Sequence, residues 1–132
     1  MTGQPAAESL VVELTPTPMA APEARALIGG NGTLPGSVRD DVLLLVTELV
    51  TNAVLHSSAG PDTLVRVELR RGKDMVSVAV SDEGTGFAAE PPLQRNETDG
   101  WGLALVDRIA DRWAVAQTGS GTRAWFEIRY GR

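Results

Sequence analysis

Apolar side chains recur every three or four positions between residues 38 and 57, in the segment VRDDVLLLVTELVTNAVLHS. On an α-helix this spacing builds one broad apolar stripe, which is typical of a helix that packs against a protein core. The stripe contains Val42, Leu45, Val46, Leu49, Val50, Ala53 and Val54. We therefore predict a core helix over residues 38–57, and Ser37 followed by Asp40 has the spacing of a capping box at its start.

Shorter segments on either side alternate apolar and polar residues, a pattern that predicts β-strands with one covered face. The predicted strands lie at residues 9–14, in a hairpin over 64–81 whose second strand is 75–81, and at 113–118 and 123–130. The two further helices are predicted at 22–28 and 100–113. The first strand stops at Pro16 and Pro18, and we expect it at an edge of the sheet.

A sheet of strands that alternate in this way is exposed to solvent on one face, so helices are expected to cover only the other face. The predicted fold class is therefore α+β, a two-layer sandwich with a mixed, largely antiparallel sheet and helices on one face. At 132 residues the chain has the size of one domain, 1–132, in which residues 1–7 are expected to be disordered.

Composition narrows the possible functions. A formal net charge of −5 and a single lysine, Lys73, argue against direct nucleic-acid binding, because clustered lysines and arginines hold a phosphate backbone. The chain has no cysteine, which excludes disulfides, thiolate catalysis and most structural zinc sites. No segment has the run of apolar residues that a membrane span requires, and we expect a cytoplasmic protein.

Three polar residues interrupt the core helix in a regular way. Glu48, Asn52 and His56 lie four positions apart, so they follow one line of the helix at the border of its apolar stripe. A carboxylate and an amide so placed can converge on one ligand, whereas the simpler interpretation is a solvated helix edge. His56 lies in the last predicted turn, where it can instead interact with unpaired carbonyl groups, and we interpret it as structural.

Two glycine-containing segments add candidate binding residues. Asp82 follows a predicted strand and precedes Gly84 and Gly86; its carboxylate suits an amino group such as that of adenine, although this is also an ordinary turn sequence. Gly100 and Gly102 open the predicted third helix, where backbone amides can bind phosphate, although a flexible loop has the same composition. The sequence contains neither a P-loop motif nor a dinucleotide-binding motif.

The order of these motifs is more specific than any one of them. Glu48-x-x-x-Asn52 on a helix, Asp82-x-Gly84-x-Gly86 after a hairpin, Gly100-x-Gly102 before a helix and Gly121-Thr122 entering a strand together resemble the four ordered boxes of the GHKL (Bergerat-fold) ATPases. The small size, the form ELVTNAVLHS and the sequence GLALV after Trp101 look like the stand-alone anti-sigma-factor serine kinases of bacteria. The resemblance covers residues 9–128.

This resemblance implies ATP and Mg²⁺ as cofactors and assigns a role to each matching residue. At the adenine end, Asp82 would hold the base, Gly84 and Gly86 would shape its pocket, and Thr122 would support Asp82. At the phosphate end, the residues would be the Mg²⁺ ligand Asn52, the catalytic base Glu48, and the lid glycines Gly100 and Gly102. Mg²⁺ takes few protein oxygens when phosphate and water complete its shell, so one asparagine carbonyl suffices.

One position departs from the family pattern. Relatives often have arginine between the lid glycines, whereas this chain has Trp101. Phosphate charge would then be met by Mg²⁺, by amides or by a nearby arginine such as Arg95, which makes ATP binding a firmer expectation than turnover.

By resemblance, the expected function is that of an anti-sigma-factor serine/threonine kinase that phosphorylates an antagonist protein and sequesters a sigma factor. The alternative is a non-catalytic, ATP-gated protein-binding adaptor of the same fold. Neither interpretation requires nucleic acid or a membrane as a partner. A homodimer is expected from the resemblance and from the apolar strand at residues 9–14, whose free edge would favour pairing.

Overall fold

Eight elements follow one another along the chain in the computed structural model, which describes residues 8–30, 34–56, 63–82, 103–117 and 122–130. They are strand β1 (Glu8–Leu14), helices α1 (Ala20–Gly29) and α2 (Gly36–His56), strands β2 (Val65–Arg71) and β3 (Met75–Ser81), helix α3 (Ala104–Ile109), and strands β4 (Arg112–Gln117) and β5 (Thr122–Arg129). Within this part of the chain, no helix combines the length and the apolar character needed to cross a membrane.

The strands form one sheet in the order β1-β2-β3-β5-β4. All four pairings between these strands are antiparallel. The predicted α+β two-layer class is confirmed, and the mixed, largely antiparallel sheet proves to be antiparallel among the described strands. The first strand lies at an edge, as predicted, and β5 is inserted between β3 and β4.

The core lies between one face of the sheet and the helices. Alternate residues of the strands point into it, and the largest fully buried side chain is Phe126 of β5. Helix α2 contacts β2, β3 and β5, while α1 packs on α2 and β1. The described helices therefore cover only one side of the sheet. Apolar and polar residues alternate along the strands because the polar ones face the uncovered side.

Helix α2 provides most of the helical contribution to the core. Its predicted stripe is confirmed, since Val42, Leu45, Val46 and Val50 are fully buried. The helix begins at Gly36, however, and the Val38 N–H donates to the Pro35 carbonyl oxygen at 3.1 Å. Because a capping side chain must precede the first helical residue, Ser37 inside the first turn is not the cap, and the predicted capping box is wrong.

The end of α1 approaches α2 closely at Gly29. A Cβ atom at this glycine would lie 3.0 Å from Nη2 of Arg39 and 3.2 Å from Cδ1 of Leu43, both on α2. The Arg39 guanidinium also donates to the Gly29 carbonyl oxygen at 3.3 Å, which pairs one of the carbonyls at the end of α1. A glycine here allows the two helices to pack without displacing these side chains.

Helix α3 is much shorter than the predicted helix over residues 100–113. It ends at Ile109, and Ala110 is already extended. Asp111 binds the chain to β5, since its N–H donates to the Glu127 carbonyl at 2.8 Å and its carboxylate accepts the Arg129 N–H at 2.7 Å. Contacts to β5 thus override a local helical pattern.

Tyr130 stabilises the turn between β2 and β3 through hydrogen bonds. Its N–H donates to the Asp74 carbonyl at 3.0 Å, and its hydroxyl donates to the Gly72 carbonyl. The Arg71 Nε donates in turn to the Tyr130 hydroxyl at 3.4 Å. The predicted hairpin over residues 64–81 is confirmed, with its strands at 65–71 and 75–81.

Candidate functional site

Helix α2 places two of the predicted site residues at the border of the core. Leu49, Val50 and Ala53 hold this part of the helix against the sheet, and their burial fixes the direction of the polar residues between them. Asn52 is only 9% exposed. Glu48, one turn earlier, is half-buried, and His56 is the last residue of the helix.

Asp82 directly follows β3 and is 4% exposed. Its N–H donates to the Thr122 carbonyl oxygen at 3.1 Å, and the Thr122 N–H donates back to Oδ1 of Asp82 at 2.8 Å. Thr122 is the first residue of β5, so this reciprocal pair continues the β3–β5 pairing by one position beyond Ser81 and Arg123. The backbone of β5 therefore fixes the orientation of a buried carboxylate.

Asn52 and Asp82 line the same cavity. The cavity lies between α2 and the ends of β3 and β5, and its walls are Leu49, Asn52, Ala53, Val80, Asp82, Thr122 and Ala124. Nδ2 of Asn52 is buried and has no hydrogen-bond partner among the described residues. An unpaired buried amide costs about 1–3 kcal/mol. Such a group beside a buried carboxylate indicates a binding site rather than packing alone.

The chemistry of these side chains fits a nucleotide with Mg²⁺. The bond to Thr122 uses one of two carboxylate oxygens, and a carboxylate has about four acceptor positions, so Asp82 can accept further hydrogen bonds. The carbonyl oxygen of Asn52 is the hard ligand type that Mg²⁺ prefers. The described residues contain no group of three or more His, Cys, Asp or Glu that could hold a metal. A metal held by a single protein side chain is compatible with this arrangement.

The structure brings together three of the predicted site residues, Asn52, Asp82 and Thr122, with Glu48 one helical turn away. The predicted glycines, Gly84, Gly86, Gly100 and Gly102, lie outside the described residues together with Trp101 and Arg95. Their roles therefore stay predictions.

Sequence reasoning missed the apolar walls of the cavity. Leu49 and Ala53 belong to the predicted stripe of α2, so the same helical period that identified the core could have assigned them to the site. Val80 and Ala124 face inward on neighbouring strands, and finding them requires the pairing of β3 with β5, in which they are opposite each other. No feature of the sequence indicates that a backbone N–H of Thr122 reaches Asp82.

Residues 13–128 match the family model of the histidine kinase-like ATPase domain. The chain belongs to this family. It is similar to the anti-sigma F factor of Clostridium beijerinckii, with 30% identity over 104 residues that cover 69% of this chain and 71% of that protein. It is 31% identical over 93 residues to the anti-sigma F factor of Pasteuria penetrans, covering 62% of each protein.

A third relative is the adaptive-response sensory kinase SasA of Prochlorococcus marinus, which is 30% identical over 102 residues. That match covers 64% of this chain but only 26% of the kinase. The resemblance to GHKL ATPases of the anti-sigma-factor type, predicted from the ordered motifs, is confirmed by the family match and the two anti-sigma F factors.

Proposed function

We propose that this chain is an ATP-binding regulator that phosphorylates a serine or threonine of an antagonist protein and sequesters a sigma factor. The observation that carries the proposal is the buried pair of Asp82 and Asn52 in one cavity. Asp82 is oriented by Thr122, and Nδ2 of Asn52 lacks a partner within the described part of the chain. Membership of the histidine kinase-like ATPase family and similarity to anti-sigma F factors support it.

Asp82 is proposed to select the adenine base. An ionised carboxylate only accepts hydrogen bonds, so it favours a ligand edge that presents an amino group. Because the site is buried, a ligand that presents an acceptor there would leave two acceptors facing each other without a proton between them. Thr122 contributes by fixing the carboxylate, and Val80 and Ala124 supply apolar walls against which a flat base can pack.

Asn52 is proposed to hold Mg²⁺ through its side-chain oxygen, and Glu48 to act as the general base. Mg-ATP would supply the phosphoryl group and neutralise the charge that develops during transfer. Residues four apart on a helix lie on the same side, so Glu48 can accept a proton from a hydroxyl group brought close to Asn52. Its half-buried position keeps the carboxylate accessible to a partner's side chain.

The second candidate is an adaptor that uses ATP to choose partners without transferring phosphate. Trp101 in place of the arginine frequent in relatives favours it, because tryptophan carries no charge to stabilise a transferring phosphoryl group. In both cases the expected partners are a sigma factor and its antagonist. The acidic chain suits proteins better than DNA.

The test is transfer of labelled phosphate from Mg-ATP to an antagonist-type protein, combined with partner affinities measured in ATP and in ADP. Transfer that the Asp82→Asn variant lacks would support the kinase. No transfer, but partner affinity that differs between the two nucleotides, would support the adaptor. Equal affinity in both nucleotides with no transfer would contradict both functions.

A further inference from the structure

The five strands have a second face, which the described helices leave uncovered. We call it the open face, meaning the positions that alternate with the core residues on β1 to β5. By register its central row is Val11, Glu68, Ala79, Trp125 and Ala114, one residue from each strand. Asn52 lies on the opposite side of the sheet, so the open face is separate from the candidate nucleotide site.

The centre of the open face carries a tryptophan between two small residues. Trp125 is half-buried, while its neighbours Ala79 and Ala114 are 8% and 6% exposed and lie outside the hydrophobic core cluster. The guanidinium of Arg112 lies 5.9 Å from the centre of the Trp125 ring, within the range of a cation–π contact. The centre of the open face is therefore apolar and carries a tryptophan, a residue type that is enriched where interface energy concentrates.

The charges of the open face differ in sign from those of the whole chain. Its arginines are Arg66, Arg70, Arg112, Arg123 and Arg129, and its glutamates are Glu13, Glu68 and Glu127. This is an excess of two positive charges on a protein whose formal net charge is −5. Negative charge must therefore concentrate elsewhere, and the positive excess on the open face favours acidic groups there.

The glutamates of the open face are already paired with its arginines. Arg66 contacts Glu13 at 3.5 Å and Glu68 at 3.2 Å, and Arg112 contacts Glu127 at 3.5 Å. Arg70 and Arg129 are both exposed, and the ion pairs among the described residues include neither of them. These two arginines are exposed positive charges, which are available to carboxylates of a partner.

We propose that the open face is a docking surface for an acidic protein that places an apolar side chain beside Trp125 and carboxylates at Arg70 and Arg129. A second copy of this chain fits less well, because two such faces would bring their excess positive charges together. A nucleic acid also fits less well, because three glutamates interleaved with the arginines repel phosphate. An acidic partner bound here leaves the cavity with Asn52 open, so the protein can hold it and a nucleotide at once.

The experiment uses the full chain labelled with ¹⁵N and titrated with a short glutamate-rich peptide that has one central leucine. We expect shifts confined to open-face residues, including the Trp125 indole, and affinity that weakens as salt is added. Trp125→Ala should weaken binding by about tenfold or more, and Arg70→Glu should weaken it as well. Trp125→Phe keeps an aromatic ring and separates loss of contact from loss of fold. Arg25→Glu makes the same charge change on an exposed residue of α1 and should leave peptide affinity unchanged.

Four results would overturn the proposal. The first is equally tight binding of a lysine-rich peptide of the same design. The second is a set of shifts that map to α1 and α2 instead of the open face. An oligothymidine could bind more tightly than the acidic peptide, which would favour nucleic acid. The free protein could show a dimer mass with open-face shifts that depend on its own concentration, which would make a second copy the occupant.

Discussion

Replacing Asp82 by asparagine separates the two tasks of this carboxylate. Oδ1 accepts the Thr122 N–H at 2.8 Å, and an amide oxygen can accept the same bond. The other carboxylate oxygen becomes an NH₂ group, which can only donate. The variant therefore keeps its attachment to β5 and presents a donor where the adenine amino group would also present one.

The expected loss of ATP affinity combines two effects. A hydrogen bond to a charged group contributes about 1.5–3 kcal/mol against about 0.5–1.5 kcal/mol for a neutral one, and a buried donor left unpaired costs about 1–3 kcal/mol. We expect a net loss of about 2–4 kcal/mol, which is about 30- to 700-fold in the dissociation constant. Folding stability should fall by only about 1 kcal/mol, because the Thr122 N–H stays paired.

Isothermal titration calorimetry with Mg-ATP measures this loss, and urea denaturation measures the stability of the same variant. Asp74→Asn is the matched control, since it makes the same chemical change at an exposed carboxylate in the turn between β2 and β3. Equal ATP affinity for wild type and Asp82→Asn would refute the assignment of Asp82 to adenine. A similar loss in Asp74→Asn would mean that net charge, and not the site, controls affinity.

Four further predictions test other parts of the molecule. Asn52→Ala should remove the magnesium-dependent part of ATP binding without lowering the melting temperature, because the lost Nδ2 has no partner in the described structure; surviving magnesium dependence would exclude Asn52 as the ligand. Glu48→Ala should slow phosphate transfer by about 10²- to 10⁴-fold at nearly constant nucleotide affinity, and an unchanged transfer rate would exclude Glu48 as the base. Light scattering at micromolar concentration should give twice the 14.0 kDa chain mass if the β1 edge pairs, whereas a monomer mass with and without nucleotide would rule out the homodimer. Tyr130→Phe should lower the free energy of unfolding by about 1 kcal/mol, because Gly72 loses its hydrogen-bond donor; unchanged urea denaturation would show that the contact adds nothing.

Local patterns predicted the elements whose structure depends on local sequence. Strand β3 has the predicted bounds, 75–81, because its alternation is regular and a turn precedes it. Helix α2 was predicted within two residues at each end, since its stripe is long. Helix α3 was predicted too long because the helical period continues in the sequence beyond Ile109, whereas Asp111 pairs with β5. That pairing is non-local and leaves no periodic signal.

The candidate site likewise combines residues that local sequence identifies with contacts that depend on the fold. Asn52 and Asp82 were singled out in the sequence because they lie at the border of an apolar stripe and directly after a predicted strand, within an ordered set of motifs. Their meeting in one cavity depends on how α2 crosses β3, which periodicity does not specify. The hydrogen bond from Thr122 to Asp82 joins residues 40 positions apart through a backbone group that every residue but proline has. The bond depends on the pairing and register of β3 with β5, which the local sequence does not specify.

The position of β5 between β3 and β4 has a consequence for synthesis on the ribosome. Strand β3 gains its second neighbour, and β4 gains its attachment to the sheet, only when residues 122–129 have been made. Until then Asp82 lacks the Thr122 N–H, and a nascent chain exposes the inner surface of an incomplete sheet. ATP cannot bind the complete site before β5 has been made. Any stabilisation of the fold by ATP would therefore come after translation has passed β5. A chain that ends before β5 would expose an unpaired sheet edge and an incomplete site to cellular proteases.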